Sequence, residues 1–146
     1  MIAIITYFSF VKSAKKIVMK IAVIIVRTLM GLMFLFASVV VLFNLMPQPE
    51  TPPGNLKTFN EGLVASGYLM TFIKVTELVC AIAFLSGRYV TLATVIIFPI
   101  VLNIVFVHIL LAPEGLLIAI LLLLGNLFLA YHHRENYRSL FVAKSF

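Results

Sequence analysis

The chain has 146 residues, of which 63% are hydrophobic and 11% charged, and its mean hydropathy is +1.17. Soluble domains carry roughly 25% charged residues, so the composition excludes an ordinary water-soluble fold and predicts one membrane domain over residues 1–146. The formal charge of +6 does not point to nucleic acid, because the basic residues gather at the two ends and form no stripe with interleaved aromatics.

The first ten residues, "MIAIITYFSF", are too short to cross a bilayer. Lys12, Lys15, Lys16 and Lys20 follow. This stretch reads either as an interfacial amphipathic helix or as a frayed tail touching lipid. A cleaved signal peptide fits less well. The apolar run after the lysines is about twice a usual signal core, and Arg27 interrupts it. Span 1 runs from Ile17 or Ile21 to Met46. The loop "MPQPETPPGN" holds four prolines and a glycine, which rule out a helix there. Thr58 and Glu61 then stand three apart, the spacing of a capping box. They predict a short outer helix from Phe59 to Ala65, stopping at Gly67.

Span 2 is Tyr68 to Ser86, span 3 is Tyr89 to Leu111, and span 4 is Leu116 to Tyr131. These are unbroken apolar runs, not the ten-residue alternation of a membrane β-barrel. Helices satisfy their own backbone hydrogen bonds, as lipid requires. The expected fold is therefore all-α, a polytopic membrane four-helix bundle with a short extra helix between spans 1 and 2. Four crossings bring the N-terminal lysines, Arg88 and the basic tail to one side. The positive-inside rule puts that side, with both termini, in the cytoplasm.

Span 2 contains "FIKVTELVC", with Lys74 and Glu77 inside an apolar run. Each charge costs roughly 2.5–3.5 kcal/mol at the bilayer centre on translocon scales. Three residues apart, the two share a helix face and can bond each other. Helical rise places Arg27 roughly 9 Å, and Glu77 roughly 13 Å, from the cytoplasmic boundary. The expectation is that Glu77 reaches Arg27 or Lys74, and that Lys74 meets Asn103 of span 3. With His108 near the outer end of span 3, these five make the candidate buried polar site: Arg27, Lys74, Glu77, Asn103 and His108. The cluster has one positive charge in surplus, which invites an anion or the carbonyl of a quinone, unless Lys74 is neutral through desolvation. The plain alternative is that the ion pair only fixes helix register.

Pro99 removes a backbone bond four residues before Asn103 and predicts a kink that opens space at the site. Gly31, Ala37 and Ser38 are read as helix-packing residues, and Asn126 as interhelical glue. His132 and His133 lack further ligands for a metal. The lone Cys80 cannot form an internal disulfide or an exchange pair. No P-loop, GxSxG, HExxH or dinucleotide fingerprint is present.

The segments "RTLMGLMFLFAS", "SGYLMTFIKVTELVCAIAFLSGRYVTLATVIIFPIVLNIVFVH" and "NYRSLF" resemble the DoxX-like family of small bacterial membrane proteins. The likeness runs from Arg27 to about Phe141 and lies in order and spacing. It comprises the arginine and glycine of span 1, the lysine–glutamate step, the glycine–arginine turn, and the proline, asparagine and histidine of span 3. It implies a four-helix bundle in the bacterial cytoplasmic (inner) membrane. The family takes its name from a subunit of a thiosulfate:quinone oxidoreductase. The resemblance therefore implies a membrane subunit or partner of a quinone-linked redox system, carrying its polar site at Arg27, Lys74, Glu77, Asn103 and His108. Two other readings stay open: a small-molecule transporter or exporter acting as an oligomer, and an assembly or scaffold protein with no ligand.

Overall fold

The computed structural model describes residues 2–47, 51 and 53–141, with the side chains of residues 2–6, 8–10 and 139–141 left aside. It holds five α-helices: α1 (Ile2–Leu42), α2 (Asn55–Ala65), α3 (Leu69–Ser86), α4 (Val90–Leu110) and α5 (Leu116–His132). Short 3₁₀ segments lie at Pro113–Gly115 and Arg134–Phe141. Among the described residues there is no strand.

Among the described residues, four helices are long and apolar enough to cross a membrane: the Val11–Leu42 part of α1, then α3, α4 and α5 with its preceding turn. They form a ring of neighbours in which α1 packs on α3 and α5, and α4 packs on the same two. The core fills with Met30 and Phe34 of α1, Ala81 and Phe84 of α3, Ile97 and Val101 of α4, and Leu122 and Leu129 of α5. Large apolar side chains such as Leu32, Phe36, Phe72 and Leu121 face outward. A water-soluble protein rarely exposes so continuous an apolar surface. The chain is a multi-pass membrane protein. Below, the end of the bundle bearing α2 is the loop face, and the end bearing the α3–α4 turn is the terminal face.

The helix ends follow from local chemistry. α1 stops at Leu42, not at Met46 as expected. Asn44 takes a left-handed backbone (φ 49°), and the Leu45 and Asn44 N–H groups bond back to the carbonyls of Val40 and Val41. That is a Schellman closure with asparagine in the place usually held by glycine. Pro47 then bars any resumption. Gly87 (φ 72°) ends α3 in the same left-handed region.

At its other end, α1 is continuous from Ile2, with no glycine or proline before Gly31. At 41 residues it is about 60 Å long, twice a hydrocarbon core. The N-terminal stretch is thus an extension of span 1 in its backbone; an amphipathic face there would lie in side chains outside the described set.

α2 begins four residues earlier than the capping box predicted. Gly54 takes the cap position with no side-chain bond, and Thr58, inside the helix, turns its hydroxyl back on the Gly54 carbonyl at 3.4 Å. A Ser or Thr that can reach the carbonyl four residues back has no need to cap.

Candidate functional site

The register of α1 against α3 decides what meets Glu77. The two helices run antiparallel, with Gly31 against Phe84 and Leu85. A Cβ on Gly31 would stand 2.9 Å from Leu85 Cγ, so the glycine permits the close approach. Two turns along α1, this register sets Ser38 opposite Glu77. One turn in the other direction, Arg27 lies against Gly87 in the α3–α4 turn, where any Cβ would collide with its guanidinium.

Lys74 Nζ donates to Glu77 Oε2 at 2.8 Å. The Glu77 side chain is 3% exposed and that of Lys74 is 17% exposed, so the pair lies inside the bundle. Ser38, fully buried, bonds the Phe34 carbonyl at 2.6 Å and approaches the same carboxylate oxygen at 3.4 Å. A hydroxyl has one proton to give. The shorter contact takes it, and the longer one is a polar neighbour to the carboxylate. Glu77 Oε1 has no hydrogen bond among the described residues, and Lys74 has donors to spare beyond the one spent on Glu77.

A cavity of about 950 Å3 opens beside this pair. Its walls are the loop-face end of α1, the inner face of α2 and the first turns of α3. The lining mixes apolar residues (Val41, Leu63, Met70) with polar ones (Asn44, Asn60, Thr71), and Lys74 is its deepest contributor along α3. The size lies within the range of small-molecule sites. Toward the terminal face the bundle is closed, as Cys80, Ala81 and Phe84 fill the interior just past Glu77. Two charges held half inside an apolar bundle, next to a mouth of mixed polarity, suit a ligand with one hydrogen-bonding head and an apolar body.

Of the five residues singled out from the sequence, the structure brings together Lys74 and Glu77. Arg27 does not pair with Glu77. It lies roughly 15 Å further along α3, a distance set by the ten residues from Glu77 to Gly87. Its Nε is buried without a hydrogen-bond partner among the described residues. The depth estimate failed because it put the membrane boundary at Ile21, whereas the packed register sets Arg27 itself level with the α3–α4 turn.

Asn103 does not meet Lys74 but stands exposed on the outward face of α4. Pro99 shares that face, so it opens no space at the site. His108 is a clamp on the α4–α5 turn. Its Nδ1 lies 2.8 Å from the Ala112 carbonyl, and its ring covers Gly115 where a Cβ would otherwise sit. Asn126 is buried and donates to the Thr94 carbonyl at 3.4 Å, joining α5 to α4. The sequence reading missed Ser38, which it took for packing alone. The available signal was its place as a hydroxyl in an apolar helix, one span away from a buried carboxylate.

Comparison with protein-family models, with curated proteins and with solved structures returns no match.

Proposed function

We propose that the chain is a DoxX-like membrane partner of a redox system, and that its cavity takes a small amphipathic carbonyl compound of the quinone class. The observation that carries this reading is the cavity ending on Lys74, whose ammonium is paired with the buried Glu77. A quinone carbonyl accepts hydrogen bonds, and Lys74 Nζ has them to donate. Glu77 offsets the lysine's charge, so a neutral head group fits better than a second full charge. The apolar walls take the ring and the start of a tail. The electron-transfer chemistry would belong to the quinone and to a partner protein, while this chain binds and orients. With the terminal face in the cytoplasm, the mouth of the cavity opens on the outer side of the bacterial cytoplasmic membrane.

The test is thermal unfolding of the purified protein with short-chain quinones and with small sulfur oxyanions, wild type against Glu77→Gln. A quinone that raises the wild-type midpoint but not that of the variant supports the reading. If the oxyanions alone act, the ligand is an anion held by Lys74.

The approach of Ser38 to Glu77 favours a second reading, a scaffold in which the ion pair sets the register of α1 on α3. In that case no compound shifts either protein, and Glu77→Gln melts well below wild type on its own. A transporter needs a way through, and the packing of Ala81 and Phe84 beyond Glu77 counts against one within a single copy.

A further inference from the structure

Polar side chains within the spans mostly find partners in their own chain. Ser38 bonds the Phe34 carbonyl, Thr76 that of Phe72, Thr94 that of Val90, and Asn126 that of Thr94. Asn103 has no hydrogen bond among the described residues and is exposed, roughly 10 Å inside the loop-face end of α4. Hydrocarbon offers its carboxamide neither donor nor acceptor, and polar groups left so in lipid are costly.

The residues around it form one stripe. Ile96, Pro99, Asn103, Phe106 and Leu110 alternate by three and four along α4, and all are exposed. Pro99 lacks an N–H, so the carbonyl of Val95, itself an exposed residue, loses its helical donor. The stripe therefore carries one carboxamide without a partner among the described residues, beside a carbonyl that lacks its usual helical donor. Among the described residues no other element covers it. α2 packs on α3, and the 134–141 segment meets α4 at Thr91 and Thr94, near its terminal-face end.

We infer that this face docks a second copy of the chain, α4 against α4, with the two Asn103 carboxamides bonded to each other. A carboxamide holds both a donor and an acceptor, so its exact complement is another carboxamide. A two-fold axis along the membrane normal sets each residue near the axis opposite itself and at the same depth. Copies inserted in the same orientation meet that requirement without adjustment. Interhelical hydrogen bonds of this kind drive association where lipid removes the hydrophobic incentive. The inference stands apart from the ligand reading, since the stripe lies on α4 and the cavity between α1, α2 and α3.

The experiment uses the full chain in phosphatidylcholine–phosphatidylglycerol vesicles, with Cys80→Ala and one new cysteine at a time. Oxidation is expected to join Phe106→Cys and Ile96→Cys chains into dimers. Leu121→Cys, on the exposed face of α5, is expected to stay monomeric. Adding Asn103→Leu is expected to weaken the dimer roughly three- to twentyfold, the range of one or two interhelical hydrogen bonds. Asn103→Gln keeps the carboxamide and should retain the dimer. Circular dichroism and the melting temperature report whether each variant folds. Equal crosslinking at Leu121→Cys overturns the inference. So does a dimer indifferent to Asn103→Leu. So does a folded protein that crosslinks at none of these sites, which would leave the stripe to lipid or to an unlike subunit.

Discussion

The two halves of this bundle are built to different ends. Toward the terminal face, four helices close on Phe84, Ile97 and Leu129, all fully buried, with Gly31 drawing α1 onto α3. Toward the loop face, α1 stops at an asparagine turn, and α2 leans on α3 with no buried residue of its own. The gap between them is the cavity above Lys74. The closed half supplies the stability that lets the other half stay open. The ion pair sits at the junction, where one member is sealed in and the other still faces the opening.

That contrast can be broken most directly by truncation. Phe84→Ala is expected to cost about 3–5 kcal/mol, as large-to-small changes in a packed core do. Leu63→Ala on α2 is expected to cost less than about 1 kcal/mol, since α2 carries little of the packing. Thermal unfolding in detergent measures both, and similar losses would erase the distinction between the halves.

Next in size is the junction. Lys74→Met leaves the Glu77 carboxylate buried without its partner, a change worth about 3–5 kcal/mol when such a charge stays ionised. The double variant Lys74→Met, Glu77→Leu is expected to recover most of that loss, because an apolar pair of similar volume needs no compensation. A double variant no better than the single one would show that Glu77 matters to the fold beyond its lysine.

The smallest expected effect lies at the turn. Gly87→Ala forces a side chain into a left-handed conformation, at roughly 1–2 kcal/mol, and into the space of the Arg27 guanidinium. Combining it with Arg27→Ala should return the steric part of the loss and leave the backbone part. The gap between the two melting temperatures separates them.

What the sequence made legible was what local chemistry determines. The spans stand out by hydropathy, Gly87 marks a helix end, and Lys74 and Glu77 meet because they are three apart on one helix. What it hid were relations between helices. Whether Glu77 faces Arg27 or Ser38 depends on how far α1 slides along α3. Close packing at Gly31 fixes that slide, and boundary lysines do not report it. The rotation of α4 was hidden for a different reason. Apolar on nearly every side, it offers no polar stripe to tell inside from outside, so Asn103 and Pro99 were read as facing inward when they face out. The start of α2 was missed because a good capping pattern was present and the helix ran through it.

α1 has one further consequence. For 29 residues before Gly31 it contains no glycine or proline, and it carries four lysines outside the packed bundle. It runs unbroken from those lysines past Ser38, beside the carboxylate, to its end at Leu42. One continuous backbone thus joins a cluster of exposed positive charge to the wall of the cavity.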